Sequence, residues 1–270
     1  MKFAAAAGAA LALAATATPA AAISTYNSRP APHRTNVGAL VVEYDADGDP
    51  ATAPVRDWFC SGTMIDRDTF LTAAHCTTGW PEGSRFFVSL AQQIDEAALR
   101  TAVEGTAHSD PAYPGNSADS HDIAVVELGS RAGSLPGFTP ATLPGAGQLS
   151  AMGPQALRDT RFIVAGYGTQ EAQRGPGGHT HPGGGERREA PLMFNALSET
   201  WLRLSMVEPR GNGGACYGDS GGPNFARIGG REVLVGTTIT GDAPCYATNV
   251  AYRLDAPSAR RFLAPFVALP

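Results

Sequence analysis

Glycine and proline punctuate this 270-residue chain almost throughout, 32 and 21 of them, and that spread excludes long helices as its main material. Proline removes a backbone donor, and glycine weakens the interior of a helix or a strand. A chain broken this often is built from short strands joined by turns. Suitable runs lie at residues 38–44, 69–72, 86–90, 123–128, 161–165, 201–207 and 233–239. They are rich in β-branched and aromatic residues and bounded by turn formers. Only the C-terminus reads as helical: Asp255 is placed to cap a short helix reaching Arg261 or Phe262, which Pro265 stops. Residues 174–188 are rich in glycine, with proline and histidine among them, and read as a mobile surface loop.

The first residues read as an export signal. Lys2 supplies the positive start, residues 3–17 are apolar and alanine-rich, Pro19 breaks the run, and Ala20, Ala21 and Ala22 offer small residues for cleavage. The run is short for a membrane span. Residues 1–22 are therefore expected to be removed, leaving residues 23–270 as a secreted, extracellular protein beginning at Ile23, with no membrane attachment. A formal net charge of −5 gives no basic stripe for nucleic acid.

Export makes the four cysteines, Cys60, Cys76, Cys216 and Cys245, candidates for disulfides. Three pairings are open, and sequence order favours Cys60 with Cys76 and Cys216 with Cys245. A zinc site is the alternative, but no C-x-x-C spacing is present.

Three segments carry chemistry. Gly218-Asp219-Ser220-Gly221-Gly222-Pro223 suits a tight turn whose N–H groups converge, with a serine upon it; an ordinary surface loop is the bland reading. A serine hydroxyl becomes a nucleophile only beside a base, and an imidazole base needs a carboxylate to fix its tautomer. Among His33, His75, His108, His121, His179 and His181, His75 stands out. It ends Leu71-Thr72-Ala73-Ala74-His75-Cys76, next to a candidate disulfide. His33 lies near the mature start, and His179 and His181 sit in the glycine-rich loop, where they are expected to be too mobile to be held. As a metal pair those two lack further ligands. The carboxylate candidate is Asp122, heading the apolar run Ile123-Ala124-Val125-Val126, where burial demands a partner.

Thr72-Ala73-Ala74-His75-Cys76, Asp122-Ile123-Ala124 and Gly218-Asp219-Ser220-Gly221-Gly222-Pro223, in that order, resemble the three signature segments of the chymotrypsin-like (trypsin-fold) serine proteases. The resemblance runs from about Val37 to the C-terminal helix. It implies an all-β fold of two packed six-stranded antiparallel β-barrels, about 37–140 and 155–254, and a short helix at about 255–264. It implies a serine endopeptidase working through an acyl-enzyme, with the site between the barrels. His75, Asp122 and Ser220 would be the triad, and the N–H groups of Gly218 and Ser220 the oxyanion hole. The four cysteines would pair in sequence order. Asp219 would meet the new ammonium of Ile23, so that signal cleavage itself activates the enzyme. Protein or peptide substrates and a proteinaceous inhibitor are the implied partners, the protein is expected to be a monomer, and neither cofactor nor metal is expected.

The specificity pocket is where the chain departs from that pattern. Gly214 aligns with the pocket floor, where trypsins carry an aspartate. Ile239 and Thr240 replace the serine and tryptophan that usually precede Gly241. Asn249 stands where a glycine is common. Small or medium neutral side chains are the expected substrates, with Asp242 a possible attractor of a basic residue at the rim.

Overall fold

The computed structural model describes residues 23–49, 52–175 and 178–270; the expected export segment lies outside them. A two-residue strand, β1 (Arg29–Pro30), precedes the first barrel. That barrel comprises β2 (Val37–Tyr44), β3 (Val55–Met64), β4 (Thr69–Thr72), β5 (Arg85–Ser89), β6 (Val103–Ser109) and β7 (Ala124–Glu127). It closes in the order β2-β3-β4-β7-β6-β5. Closure leaves no free edge, which suits short strands unable to protect their own backbone. A six-residue helix, α1 (Glu96–Thr101), sits between β5 and β6, and its first turn is capped by Asp95, whose Oδ1 accepts the Ala98 N–H at 2.8 Å.

A second helix, α2 (Gln148–Asp159), leads into the second barrel and bends where Gly153 takes φ +75° ahead of Pro154. The second barrel comprises β8 (Arg161–Gly166), β11 (Arg188–Leu197), β12 (Trp201–Ser205), β13 (Pro223–Ile228), β14 (Arg231–Gly241) and β15 (Thr248–Arg253), with the small hairpin β9 (Gln173–Gly175) and β10 (Gly178–Thr180) between β8 and β11. The β8–β11 pairing closes this ring too. The last helix is α3 (Pro257–Leu263). Two closed six-stranded antiparallel barrels with a short C-terminal helix match the expected fold class.

Two apolar cores hold the barrels. One, anchored by Phe70 and Leu71, continues between the barrels to Leu234 and Tyr252; the other, with Phe162 and Leu192, lies within the second barrel, and all are essentially sealed from solvent. Burying each such side chain stabilises by about 2–3 kcal/mol. The chain ends are crossed. The N-terminal segment belongs to the second barrel: β1 pairs with β11, and Ile23 is buried in its core. The C-terminal segment reaches the first: the Phe266 carbonyl accepts from Thr69 Oγ1 at 3.5 Å, and the Phe266 ring lies 5.4 Å from that of His108.

Several local expectations are corrected. Strands β3, β6, β11, β13 and β15 lie in stretches too polar to stand out. In β3, Ser61 and Thr63 are fully buried although they are polar. Helices are not confined to the C-terminus, as α1 and α2 show. Asp255 does not cap α3, whose N-cap is Ala256 without a side-chain bond. Its carboxylate instead pairs with Arg253 at 2.8 Å and accepts the Leu149 N–H at the start of α2, also at 2.8 Å. Residues 174–188 are not a loop throughout: they contain β10 and end in β11. Within the stretch, Arg187 is buried, donating to the carbonyls of Ala31, Val37 and Leu90 and to the Tyr167 hydroxyl.

Candidate active site

Strand β4 ends at Thr72, and two small buried alanines lead into a single 3-10 turn, Ala74–Cys76, carrying His75. A disulfide from Cys76 to Cys60 on β3 ties that turn to the barrel. Asp122 lies just before β7, the strand paired with β4. Its two oxygens meet one residue: Oδ1 accepts the His75 backbone N–H at 2.9 Å and Oδ2 faces His75 Nδ1 at 2.8 Å. A carboxylate only accepts, so Nδ1 carries a proton, and in the neutral ring Nε2 is the nitrogen with the lone pair. Among the described residues, Asp122 takes hydrogen bonds only from His75. The side chain of His75 remains 30% exposed. His121, next to Asp122, turns away to Asp110, with Nδ1 2.9 Å from Oδ2.

Ser220 comes from the second barrel, on the turn before β13. Gly218 there has φ +93°, and a Cβ would meet the Trp58 ring at 2.5 Å, so only glycine fits. The turn is cross-braced: the Asp219 N–H donates to Cys216 O, Gly221 N–H to Thr238 O, and Ser61 N–H to Ser220 O, at 3.0, 2.7 and 2.8 Å. The N–H groups of Gly218 and Ser220 have no hydrogen-bond partner among the described residues. Two amides so placed are available to a negative oxygen where they converge. His75 and Ser220 line the same cavity, of about 340 Å³.

Asp219 is fully buried. Its carboxylate accepts the N–H groups of Gly168 and Cys216, at 2.8 and 2.9 Å. Burial pushes its pKa up to about 7, while those two bonds oppose the rise. Gly168 faces both ways, because its carbonyl accepts the Ile23 N–H at 3.1 Å. A Cβ on Gly168 would lie 2.4 Å from the Asp219 carboxylate, so this approach also needs glycine. The next residues are docked just as firmly. Ser24 N–H donates to Gly214 O at 3.1 Å, Gly214 N–H donates to Ser24 Oγ at 2.8 Å, and Thr25 N–H donates to Glu171 Oε2 at 2.8 Å.

Beside Ser220 the cavity is walled by Ala215, Tyr217, residues 238–243 including Gly241, Asn249, and the Cys216–Cys245 disulfide. Gly214 does not line it; a side chain there would strike Met206 at 2.5 Å. Asp242 is already engaged, its carboxylate accepting the N–H groups of Tyr246, Ala247 and Thr248. Asn249 Nδ2 donates to Asn224 Oδ1 at 2.7 Å, and Asn224 Nδ2 donates to Thr238 Oγ1 at 2.9 Å. His181, expected to be mobile, is held: Nδ1 is 3.1 Å from Gln170 O and 3.2 Å from Cys216 Sγ, and its ring stands edge-on to Tyr217. His181 near Cys216 and Cys245 has the spacing of a metal site, as does His75 near Cys60 and Cys76. Both sulfur pairs are spent in disulfides and offer no thiolate. Trp58, Ser61 and Glu171 went unnoticed in the sequence, since each acts through a partner more than a hundred residues away or across a strand.

Two barrels meeting around a serine, an imidazole and a carboxylate define a class of enzyme, the serine-type endopeptidases. Residues 48–259 match the Trypsin family, and the chain belongs to it. It is 27% identical to fibrinolytic enzyme isozyme C of Lumbricus rubellus, over 65% of this chain and 73% of that protein. It is 28% identical to coagulation factor XII of Rattus norvegicus over 70% of this chain, and to vitamin K-dependent protein C of Oryctolagus cuniculus over 68%. The match spans only 33% and 41% of those two longer proteins.

Proposed function

We propose that this chain is a secreted serine endopeptidase in which Ser220, His75 and Asp122 act as the triad. The observation that carries the reading is the two-point grip of Asp122 on His75 at the edge of a cavity shared with Ser220. In the proposed reaction, Ser220 Oγ adds to the carbonyl carbon of the scissile bond as its proton passes to His75 Nε2. The oxygen that becomes negative is received by the N–H groups of Gly218 and Ser220. The intermediate collapses, the C–N bond breaks, and His75 returns the proton to the departing amine. Water, deprotonated by the same nitrogen, then releases the acyl group and restores Ser220. Asp122 holds the imidazole in one tautomer and stabilises its charged form.

Processing before Ile23 would supply what Asp219 lacks. A buried carboxylate with two neutral donors calls for a cation, and Ile23 is docked on Gly168, the residue that also binds Asp219. The proposal is that removal of residues 1–22 during export frees that ammonium. Substrates are peptides or proteins with small or medium neutral side chains at the cleaved bond. The engagement of Asp242 by three backbone amides argues against attraction of a basic residue. The protein acts as a monomer without cofactor, and a proteinaceous inhibitor would occupy the same cleft.

A fluorophosphonate probe tests the central reading. The folded secreted protein should be labelled at Ser220 and Ser220→Ala should not; an unlabelled wild type overturns it. N-terminal sequencing tests the processing step, where a start well downstream of Ile23 is the contrary result. Digestion of a peptide library reads the pocket, and cleavage mainly after Arg or Lys would contradict the neutral assignment.

A further inference from the structure

An oxyanion hole works only if its N–H groups are fixed before charge develops, and the turn carrying them here contains glycine at its first position, the residue least able to fix itself. We infer that the hydroxyl of Ser61, on the opposite barrel, is a positioning residue for that hole: it holds the Gly218 carbonyl and so sets the direction of the two flanking N–H groups. The inference rests on the endopeptidase reading and adds a residue to it.

The geometry begins in a strand irregularity. Along β2 and β3, Val41 pairs with Trp58 and Leu40 with Cys60, so Phe59 is an extra residue. Residues three apart on a regular strand face opposite ways. The bulge restores the phase, and Trp58 and Ser61, opposite Val41 and Ala39, come to the same face. Both then act on Gly218. The Trp58 ring closes off the space beside its Cα, as the 2.5 Å clash of a Cβ there shows. Ser61 Oγ donates to Gly218 O at 2.9 Å and accepts the Tyr167 N–H at 3.0 Å.

No polar atom of Ser61 is idle. Its N–H donates to Ser220 O at 2.8 Å, and its own carbonyl accepts from Thr72 Oγ1 at 2.9 Å. The residue is fully buried, so water cannot take over these contacts. The carbonyls on both sides of Asp219, those of Gly218 and Ser220, are thus bound to one residue of the first barrel. The Asp219 carboxylate is bound to the second, through Gly168 and Cys216. With the hydroxyl removed, the Gly218 carbonyl loses its partner, and the peptide between Gly218 and Asp219 is held only at its other end, by the Asp219 N–H on Cys216 O. Asp122 and His75 are untouched, as are the cavity walls that bind the substrate side chain.

The test compares wild type with Ser61→Ala and Ser61→Gly, each checked for cooperative unfolding. On a peptide substrate kcat should fall about 10- to 100-fold, the scale of small misplacements in a reacting geometry, with KM within twofold. A peptidyl trifluoromethyl ketone, which forms an anionic adduct with Ser220, should weaken by the same factor. A non-reacting peptide inhibitor of the same sequence should bind as before, and the pH dependence of kcat/KM should keep its midpoint. If a folded variant keeps kcat within twofold, or if reactive and non-reacting inhibitors weaken alike, the inference is overturned. Should Ser61→Ala not fold, Ser61→Cys, which keeps the size but donates weakly, must show the same split between kcat and KM. Fluorophosphonate labelling separates the two proposals: an unlabelled wild type overturns both, whereas equal labelling rates for wild type and a folded Ser61→Ala overturn this one alone.

Discussion

The Asp219 carboxylate makes a sharp prediction about the chain's own N-terminus. Take two proteins in a Ser220→Ala background, one beginning at Ile23 and one retaining residues 1–22. In the second, Ile23 N is an amide and brings no charge to the pocket. Asp219 then ionises at about 7, against an ordinary 3.8. Between those values the native state holds a proton that the unfolded state has lost, so stability falls as pH rises. A span of some three pH units at about 1.4 kcal/mol each costs about 4 kcal/mol, a large share of a typical domain's stability. The protein beginning at Ile23 should stay flat across that window. It should weaken only above about pH 8, where a terminal amine loses its proton. Urea unfolding from pH 4 to 8 reads both curves. Parallel curves would refute the reasoning, because an Ile23 ammonium that does not meet Asp219 cannot alter its ionisation.

Other consequences can be measured separately. Asp122→Asn should lower kcat about 10⁴-fold with KM little changed, since the imidazole loses the partner that fixes its tautomer; steady-state kinetics on a peptide substrate decides. Replacing both Cys216 and Cys245 by serine opens a link between residues 29 apart. That should cost about 3–4 kcal/mol in denaturant unfolding and broaden the range of residues accepted at the cleaved bond. Arg187→Met removes a buried guanidinium that answers three carbonyls and a phenol. Unfolding should show a loss of about 2–4 kcal/mol, because those acceptors stay buried without donors.

The two barrels were legible because their most apolar strands are also the ones that β-propensity favours. The run 69–72 ends where β4 ends. The strands that escaped notice were those whose buried positions are polar, such as Ser61 in β3. Their burial is tolerable only because distant backbone groups satisfy them, and a local window contains no trace of such partners. The same limit applies to Asp255, a good capping residue by type that is claimed by Arg253 and by α2. His75, Asp122 and Ser220 could be singled out because each sits in a short segment of unusual composition. The cavity beside them could not be drawn in detail. Its shape depends on whether Met206 fills the space at Gly214 and on whether Asp242 turns inward or caps its own loop.

The crossed chain ends bear on how such a molecule is made. Ser24 finds its partner Gly214 190 residues later, and Thr25 finds Glu171 146 residues later. The segment synthesised early must therefore wait, unpaired, for the barrel it completes. The first barrel, conversely, is finished only when the last residues arrive. Neither half is a self-contained product, so the cut between them that a domain boundary would suggest should yield two fragments that fold only in each other's presence. Such long-range closure makes for slow folding. It also means that the cleft cannot be assembled before the whole chain has been made.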